Sequence, residues 1–501
     1  MSLPPSPTRP SPGRRLRAAV AGAAMAALAG CAVNPATGGS QFTLVSPAQD
    51  AALGAREHPK VLAEYGGEYA DPEVRALVDR VGRRIAAASA RPDVDYTFTV
   101  LDSPIANAFA LPGGYVYVTR GLLAIVGDEA ELAAVLGHEI AHVAARHSAA
   151  RATQSTIAQV ALVGLAVVGL GPIAGQAAGT TAELLLKGYS RGHELEADAI
   201  GMRYLTAAGY DPWAVVDFLQ TMQRDAELKA ALAGRRPDSE QIGQWLSSHP
   251  QTEERVARAS ALARDAAAGA EGAAAGSERG RDAFLDAVDG MIFGDTAEQG
   301  FVRGRTFFHP VLGFRFDVPE GFRIVNGADQ VIAAGPDGSA IIFDADRVPP
   351  VRDVADYLAD DWGARMALGR VERIEVNGMP AATAVAEARL GGTPVDARLL
   401  AIRFGPDRIY RFVFATPKGL TGAMNLALRE TSYSFRRLEP AETRDLAPLR
   451  IEVRTVRPGD TLESLAAGLP LEGMAVERLA VLNGIAPGTP LEPGRRIKLI
   501  R

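Results

Sequence analysis

The 501 residues contain a single cysteine, Cys31. No intrachain disulfide is therefore possible, and apolar cores, ion pairs or a metal must hold the fold. Long apolar runs are missing too. The most apolar stretch, 156–178, is broken by Pro172 and several glycines, and its unbroken run covers only 160–170. A spanning helix takes about 20 apolar residues. No charge of one sign dominates: 53 Lys and Arg face 59 Asp and Glu, a net charge of −6. With no basic patch, the chain lacks the electrostatic footprint of a nucleic-acid binder. What is present suffices for ordinary cores, since 47% of residues are apolar and 22% charged. This length suggests about three domains.

The chemistry concentrates in 128–147, DEAELAAVLGHEIAHVAARH. Asp128 followed by Glu131 reads as a helix start of the capping-box kind. Leu132, Val135, Leu136, Ile140 and Val143 then recur without a proline, as on a buried helix. Inside it lies His138-Glu139-Ile140-Ala141-His142. Residues four apart are offset by about 40° around a helix, so both imidazoles leave one face and can share one Zn²⁺. Glu139 is badly placed to be a ligand and well placed to act as a general base on water, which is the division of labour of a metalloprotease. On a continuing helix His147 is turned roughly 140° and 180° from the two histidines. It is not expected to be a ligand.

A catalytic zinc needs a third protein ligand and an open position. The segment 189–198, YSRGHELEAD, opens a second helix. Glu194 and Asp198 share its face, and Glu196 points elsewhere. Glu194 is the expected third ligand, and Asp198 the carboxylate that orients a ligand histidine. His193 is expected at the surface. Arg191 is the candidate for stabilising an oxyanion. His249, before Pro250, has two open readings. Either it caps the zinc in a latent state, or it caps its own helix or lines the substrate cleft. The segment 107–118, NAFALPGGYVYV, is a turn followed by a strand, either a cleft wall that pairs with extended substrate or a core hairpin. The stretch 156–178 is either a hydrophobic flap or a buried hairpin.

Four motifs in order, NAFALPGGYVYV, GHEIAHVAARH, YSRGHELEAD and SSHPQTEERVAR, resemble metallopeptidase family 48, the HtpX-like and BepA-like zinc endopeptidases. The resemblance covers roughly 45–265. It implies a zincin-like fold, one Zn²⁺ on His138, His142 and Glu194, and hydrolysis of misfolded or stalled envelope proteins.

The ends of the chain carry further resemblances. Arg14, Arg15 and Arg17, a short apolar stretch and Leu28-Ala29-Gly30-Cys31 resemble a lipoprotein signal with its lipobox. Cys31 would then carry the lipid, and Ala32 after it favours the outer membrane, facing the periplasm. The tail 451–501, with Arg457-Pro458-Gly459-Asp460-Thr461 and Leu482-Asn483-Gly484, resembles a LysM module and makes peptidoglycan a candidate partner. The expected architecture is an α+β multidomain protein. It has a signal (1–31), a tether (32–50), a mainly helical zincin-like peptidase domain (51–265), a linker and helix (266–305), an α+β domain (306–438) and a small β-α-α-β LysM-like module (451–501). On this reading the tail is separable, so its loss leaves hydrolysis unchanged. The expected partners are unfolded or misassembled envelope proteins and the membrane, with no nucleic acid. The alternative is a non-catalytic envelope scaffold or chaperone held on peptidoglycan.

Overall fold

The computed structural model describes residues 31–153, 188–232, 249, 253–269, 278–327, 330–390, 392–471, 473–486 and 488–501. The expected signal up to Gly30 and the stretch 156–178 lie outside the described residues.

The expected tether is folded. Cys31–Val33 pairs antiparallel with Ser40–Phe42, across a turn in which the Asn34 side chain accepts the Ala36 N–H. Arg203 donates to Ala36 O, and the Leu44 N–H reaches Thr153 Oγ1. Gly, Pro and Ser supplied turn geometry here, and distant polar side chains hold the backbone in place. The helix Pro47–Glu64 follows, started by a Ser46–Gln49 capping box. The next helix, Pro72–Ala87, is capped by Asp71 and buries Val74, Leu77, Val78, Val81 and Ile85. That spacing is a single apolar stripe.

Thr97–Leu101 runs parallel to Tyr115–Thr119, which pairs antiparallel with Ala108–Leu111. The hairpin 108–119 is therefore real, and Ala108–Leu111 forms the sheet edge. Behind this sheet the motif helix, Glu129–Ala144, is buried along almost its whole length. It crosses the helix Arg191–Ala207 at Gly137 and Gly201. A Cβ on Gly201 would lie 3.0 Å from the His138 nitrogen, so a side chain there would push the two backbones apart.

The middle region is α+β. A seven-stranded antiparallel sheet, from Arg323–Asn326 at one edge to Glu372–Val376 at the other, stands beside a four-stranded sheet. Between them lies an aromatic core that includes Phe307, Phe314, Phe316, Phe343, Phe412 and Phe435. The sequence pattern over 351–368 suggests one helix, but the element formed there is shorter. It is a single turn, Val354–Asp356, continued by a wider π-type turn over Tyr357–Trp362. The second helix is Thr421–Ser434.

The tail has the expected order: Leu449–Thr455, Leu462–Ala466, Ala475–Leu482 and Arg496–Ile500. Its two strands pair from Ile451↔Ile500 to Thr455↔Arg496. It is not a separable unit, however. Ile292–Phe293, from the expected linker, adds a third strand against Leu449 and Arg450. One apolar core runs from Val74 and Leu136 through Phe284 and Leu285 to Leu479 and Ile497. Lys498 is fully buried, and its ammonium donates to Ala124 O at 2.5 Å and Val126 O at 2.6 Å. Those carbonyls belong to the turn that leads into the motif helix. Arg281 donates to Gly127 O and Arg496 O, and Arg279 grips the N-cap carboxylate of Asp128 at 2.7 Å. Burial pushes the Lys498 amine down to about 7 and the nearby Glu131 carboxyl up to about 7.

The start of the motif helix is thus held from the tail. Lys498→Met leaves two buried carbonyls without a donor, at about 1–3 kcal/mol, and is expected to lower stability by that much in urea denaturation. Deleting 451–501 uncovers the shared core and is expected to abolish cooperative unfolding of the peptidase domain. Unchanged unfolding of the truncated protein overturns the shared-core assignment.

Candidate metal centre

The two crossing helices bring three side chains together, and His249 adds a fourth. Asp128 accepts the Glu131 N–H at 2.9 Å and starts the motif helix. Glu131 turns back to the Gly127 N–H at 3.0 Å instead of closing a reciprocal box. Two turns further on, His138 Nε2 and His142 Nε2 stand 3.0 Å apart. On the second helix, capped by Ser190, Glu194 points at the same spot. Its Oε2 is 3.5 Å from His138 Nε2, and its Oε1 is 3.5 Å from His142 Nε2. His249 completes the group, with Nδ1 3.2 Å from His138 Nε2 and 3.1 Å from Glu194 Oε2. One donor atom from each of His138, His142, Glu194 and His249 lies within 4.8 Å of all the others, and all four residues are buried.

Glu139 lies beside this convergence and is itself fully buried. Neither of its oxygens has a hydrogen-bond donor among the described residues, and His249 Nε2 stands 3.4 Å from Oε1. A buried carboxylate without a donor is costly unless it has a reacting partner. Imidazole nitrogens that face one another across about 3 Å need a cation between them or a shared proton. Three imidazoles and a carboxylate form the ligand chemistry of zinc, so the residues present fit that ion.

A second layer holds the first. Asp198 Oδ1 lies 3.0 Å from His138 Nδ1. Arg255, which is 1% exposed, clamps Asp198 with two bonds of 2.8 Å. The same guanidinium is 3.1 Å from Glu194 Oε2 and 3.4 Å from His249 O. One arginine therefore ties three site residues together. Sequence reasoning passed over Arg255. It sits in the motif SSHPQTEERVAR, where a charged residue in a helical stripe reads as solvent-facing.

His147 also occupies an unexpected place. It is outside the four-donor group, but its Nδ1 touches His142 Nδ1 at 2.8 Å and its Nε2 faces Glu196 at 3.1 Å. The expected 140° turn assumed an unbroken helix. The helix stops at Ala144, and Arg146 takes the left-handed conformation, φ 56°, held there by Asp50 Oδ2 and Val45 O. The chain doubles back and delivers His147 beneath His142. His193, expected at the surface, is half-buried and stacks on His147 at 4.3 Å. Tyr189 stacks on His142 at 3.9 Å. Arg191 is exposed and paired with Glu254, away from the convergent atoms.

Electrostatics follow the packing. Burial pulls the His138 imidazole down, but Asp198 and Glu194 outweigh it and raise its pKa to about 10. Burial acts upward on Glu194, yet His249 and His138 hold its carboxyl far below the usual carboxylate range. Burial pushes Glu139 up. It pushes His147 down to about 3, leaving that ring neutral and free to orient His142.

Comparison with known proteins agrees with this geometry. Residues 72–263 match peptidase family M48, and residues 455–499 match the LysM domain. The chain is 31% identical over 203 residues to the mitochondrial metalloendopeptidase OMA1 of Schizosaccharomyces pombe, covering 40% of this chain and 56% of that protein. It is 31% identical over 161 residues to the beta-barrel assembly-enhancing protease of Yersinia pestis, covering 30% and 33%. For the Escherichia coli K12 protein of that name the identity is 28% over 200 residues, covering 38% and 39%. The chain thus spans about a third to a little over half the length of these relatives.

Arg255→Ala strands the buried carboxylates of Asp198 and Glu194. The expected loss is about 3–5 kcal/mol, read by chemical denaturation of the metal-free protein. A loss below about 1 kcal/mol would show that the clamp is not holding the site.

Proposed function

We propose that this protein is a zinc-dependent metalloendopeptidase of the bacterial cell envelope. The observation that carries the reading is the convergence of four buried donor atoms beside Glu139, whose own oxygens have no hydrogen-bond donor among the described residues. His138, His142 and Glu194 would hold the ion. Zinc, when bound, supplies a Lewis acid that polarises a carbonyl and makes water more acidic. Glu139 takes the proton from the attacking water and passes it to the leaving amine nitrogen. Asp198 and the His147–Glu196 pair fix the ring orientation of His138 and His142. The strand Ala108–Leu111 is at the sheet edge but buried in this structure; once uncovered, it would offer backbone groups to an extended peptide, which suits substrates that have lost their fold. Unfolded or misassembled envelope proteins are such a class.

His249 is the fourth donor. A catalytic zinc keeps one position for water, whereas four protein donors close the shell. The contacts of His249 with Glu194 and His138 support a latent state in which it occupies that position and leaves when substrate arrives.

For location, the lipobox-like Leu28-Ala29-Gly30-Cys31 supports lipidation of Cys31, an outer-membrane address and a periplasmic orientation. No helix among the described residues is long and apolar enough to cross a membrane. Cys31 itself lies in the strand Cys31–Val33, so a lipid there would hold the peptidase domain close to the membrane surface. The LysM module supports attachment to peptidoglycan.

Glu139→Gln is expected to abolish casein hydrolysis, a loss of at least 100-fold, while the protein retains one zinc per chain by metal analysis. Activity within tenfold of the parent would overturn the assignment of the base. His249→Ala is expected to retain zinc and raise basal hydrolysis severalfold. Unchanged or lower activity with zinc still bound would remove the latch.

Cys31→Ala is expected to move the protein from the membrane fraction to the soluble fraction. Persistence with the outer membrane in high salt would refute lipid anchoring.

A further inference from the structure

The middle domain carries a groove for which the peptidase has no use. The helix Thr421–Ser434 lies over one face of the seven-stranded sheet but buries only Leu428, Thr431 and Ser432 of its 14 residues. Along one flank it stands off the sheet. Beneath it, Met379–Leu390 and Thr393–Gly405 set Val385 opposite Arg398 and Thr383 opposite Leu400. The same face is solid core at Ala381, Leu400 and Ile402, but Val385 is 55% exposed. Two cavities of about 430 and 450 Å³ open there and share Val385, Arg398 and Asn425. Each falls in the size range of small-molecule sites, about 300–1,000 Å³.

The two ends of the groove differ in chemistry. One is lined by Phe414, Leu428, Val385 and Ala367. The carboxylates there are already engaged, Glu387 by Lys418 at 2.8 Å and Asp396 by the Thr421 hydroxyl at 2.6 Å. The other end presents Arg370, Arg398 and Arg429 against one carboxylate, Glu372. Among the described residues none of these three guanidiniums has an ion-pair or hydrogen-bond partner. Other arginines of the domain are engaged, Arg411 by Asp344 and Arg352 by Asp361. Three free guanidiniums converging on one cavity call for an anion, which arginine can grip with paired bonds.

The backbone narrows the ligand further. Thr393–Gly405 is paired on both sides, and Val385 O already accepts the Gly369 N–H at 2.8 Å. Beneath the apolar end the floor offers no free strand edge to a peptide; the sheet edge Glu372–Val376 lies at the arginine end. The apolar floor suits a chain without amides.

We propose that this groove binds a single-chain anionic amphiphile, with its alkyl chain over Val385, Leu428 and Phe414 and its acidic head between Arg370, Arg398 and Arg429. This site stands apart from the metal centre, and its failure would leave the peptidase reading untouched.

The test is calorimetric titration of the full-length protein with dodecyl phosphate below its micelle-forming concentration. One molecule is expected per chain, bound at least tenfold more tightly than dodecanol and at least 100-fold more tightly than inorganic phosphate. Dodecanoate in a parallel arm decides between a phosphate and a carboxylate head, and tighter binding of either supports the site. R398A/R429A is expected to bring dodecyl phosphate down to the affinity of dodecanol and leave dodecanol unchanged. V385W, or A367F if the first unfolds early, fills the apolar end and is expected to weaken both chains at least tenfold. Non-saturating uptake would overturn the proposal. So would equal binding by all variants with unchanged Tm, or displacement of the amphiphile by a short peptide with a free carboxylate.

Discussion

The close crossing of two helices at Gly137 and Gly201 is the constraint on which the rest of the metal centre depends. It sets the distance between His138 and His142 on one helix and Glu194 and Asp198 on the other. With the backbones this near, the donor atoms meet inside the protein, where water cannot satisfy them. Burial then makes every unpaired polar group expensive. Arg255 answers that cost on one side by clamping Asp198 and Glu194. His147 answers it on the other by backing His142. Among the described residues, the only carboxylate of the site left without a donor is Glu139, the one whose assigned chemistry requires freedom to exchange a proton.

The same helix is held from its far end by parts of the chain some 150 to 370 residues away. Arg279 and Arg281 grip Asp128 and Gly127, and Lys498 holds the two carbonyls just before them. The module that matches the LysM domain thereby shares one apolar core with residues 72–263. Arg120 adds a further tie, donating to Asp102 and to Gly294 O in the linker. Anything that shifts the tail therefore acts on the turn that leads into the metal helix. The middle domain is organised separately around its own aromatic core, which leaves its groove free to serve a different ligand.

By itself the sequence determined the local chemistry. The four-residue spacing of His138 and His142 dictates a shared helix face whatever surrounds it, and the same rule separates Glu194 and Asp198 from Glu196. The strand order of the tail and the hairpin at 108–119 were legible from alternation and from turn residues. Tertiary structure decided whatever depended on where a helix stops or on which distant group supplies a partner. The direction of His147 turned on a left-handed Arg146, which distant Asp50 and Val45 stabilise. Arg255 became central because its helix docks against Arg191–Ala207, and nothing in its local stripe encodes that contact. The 32–50 segment folded because Arg203 and Thr153 complete its backbone bonds, and the tail merged with the peptidase because apolar faces about 400 residues apart bury one another. Periodicity and spacing fix relations within one element. Burial and long-range hydrogen bonding arise between elements, and only the assembled fold brings those elements together.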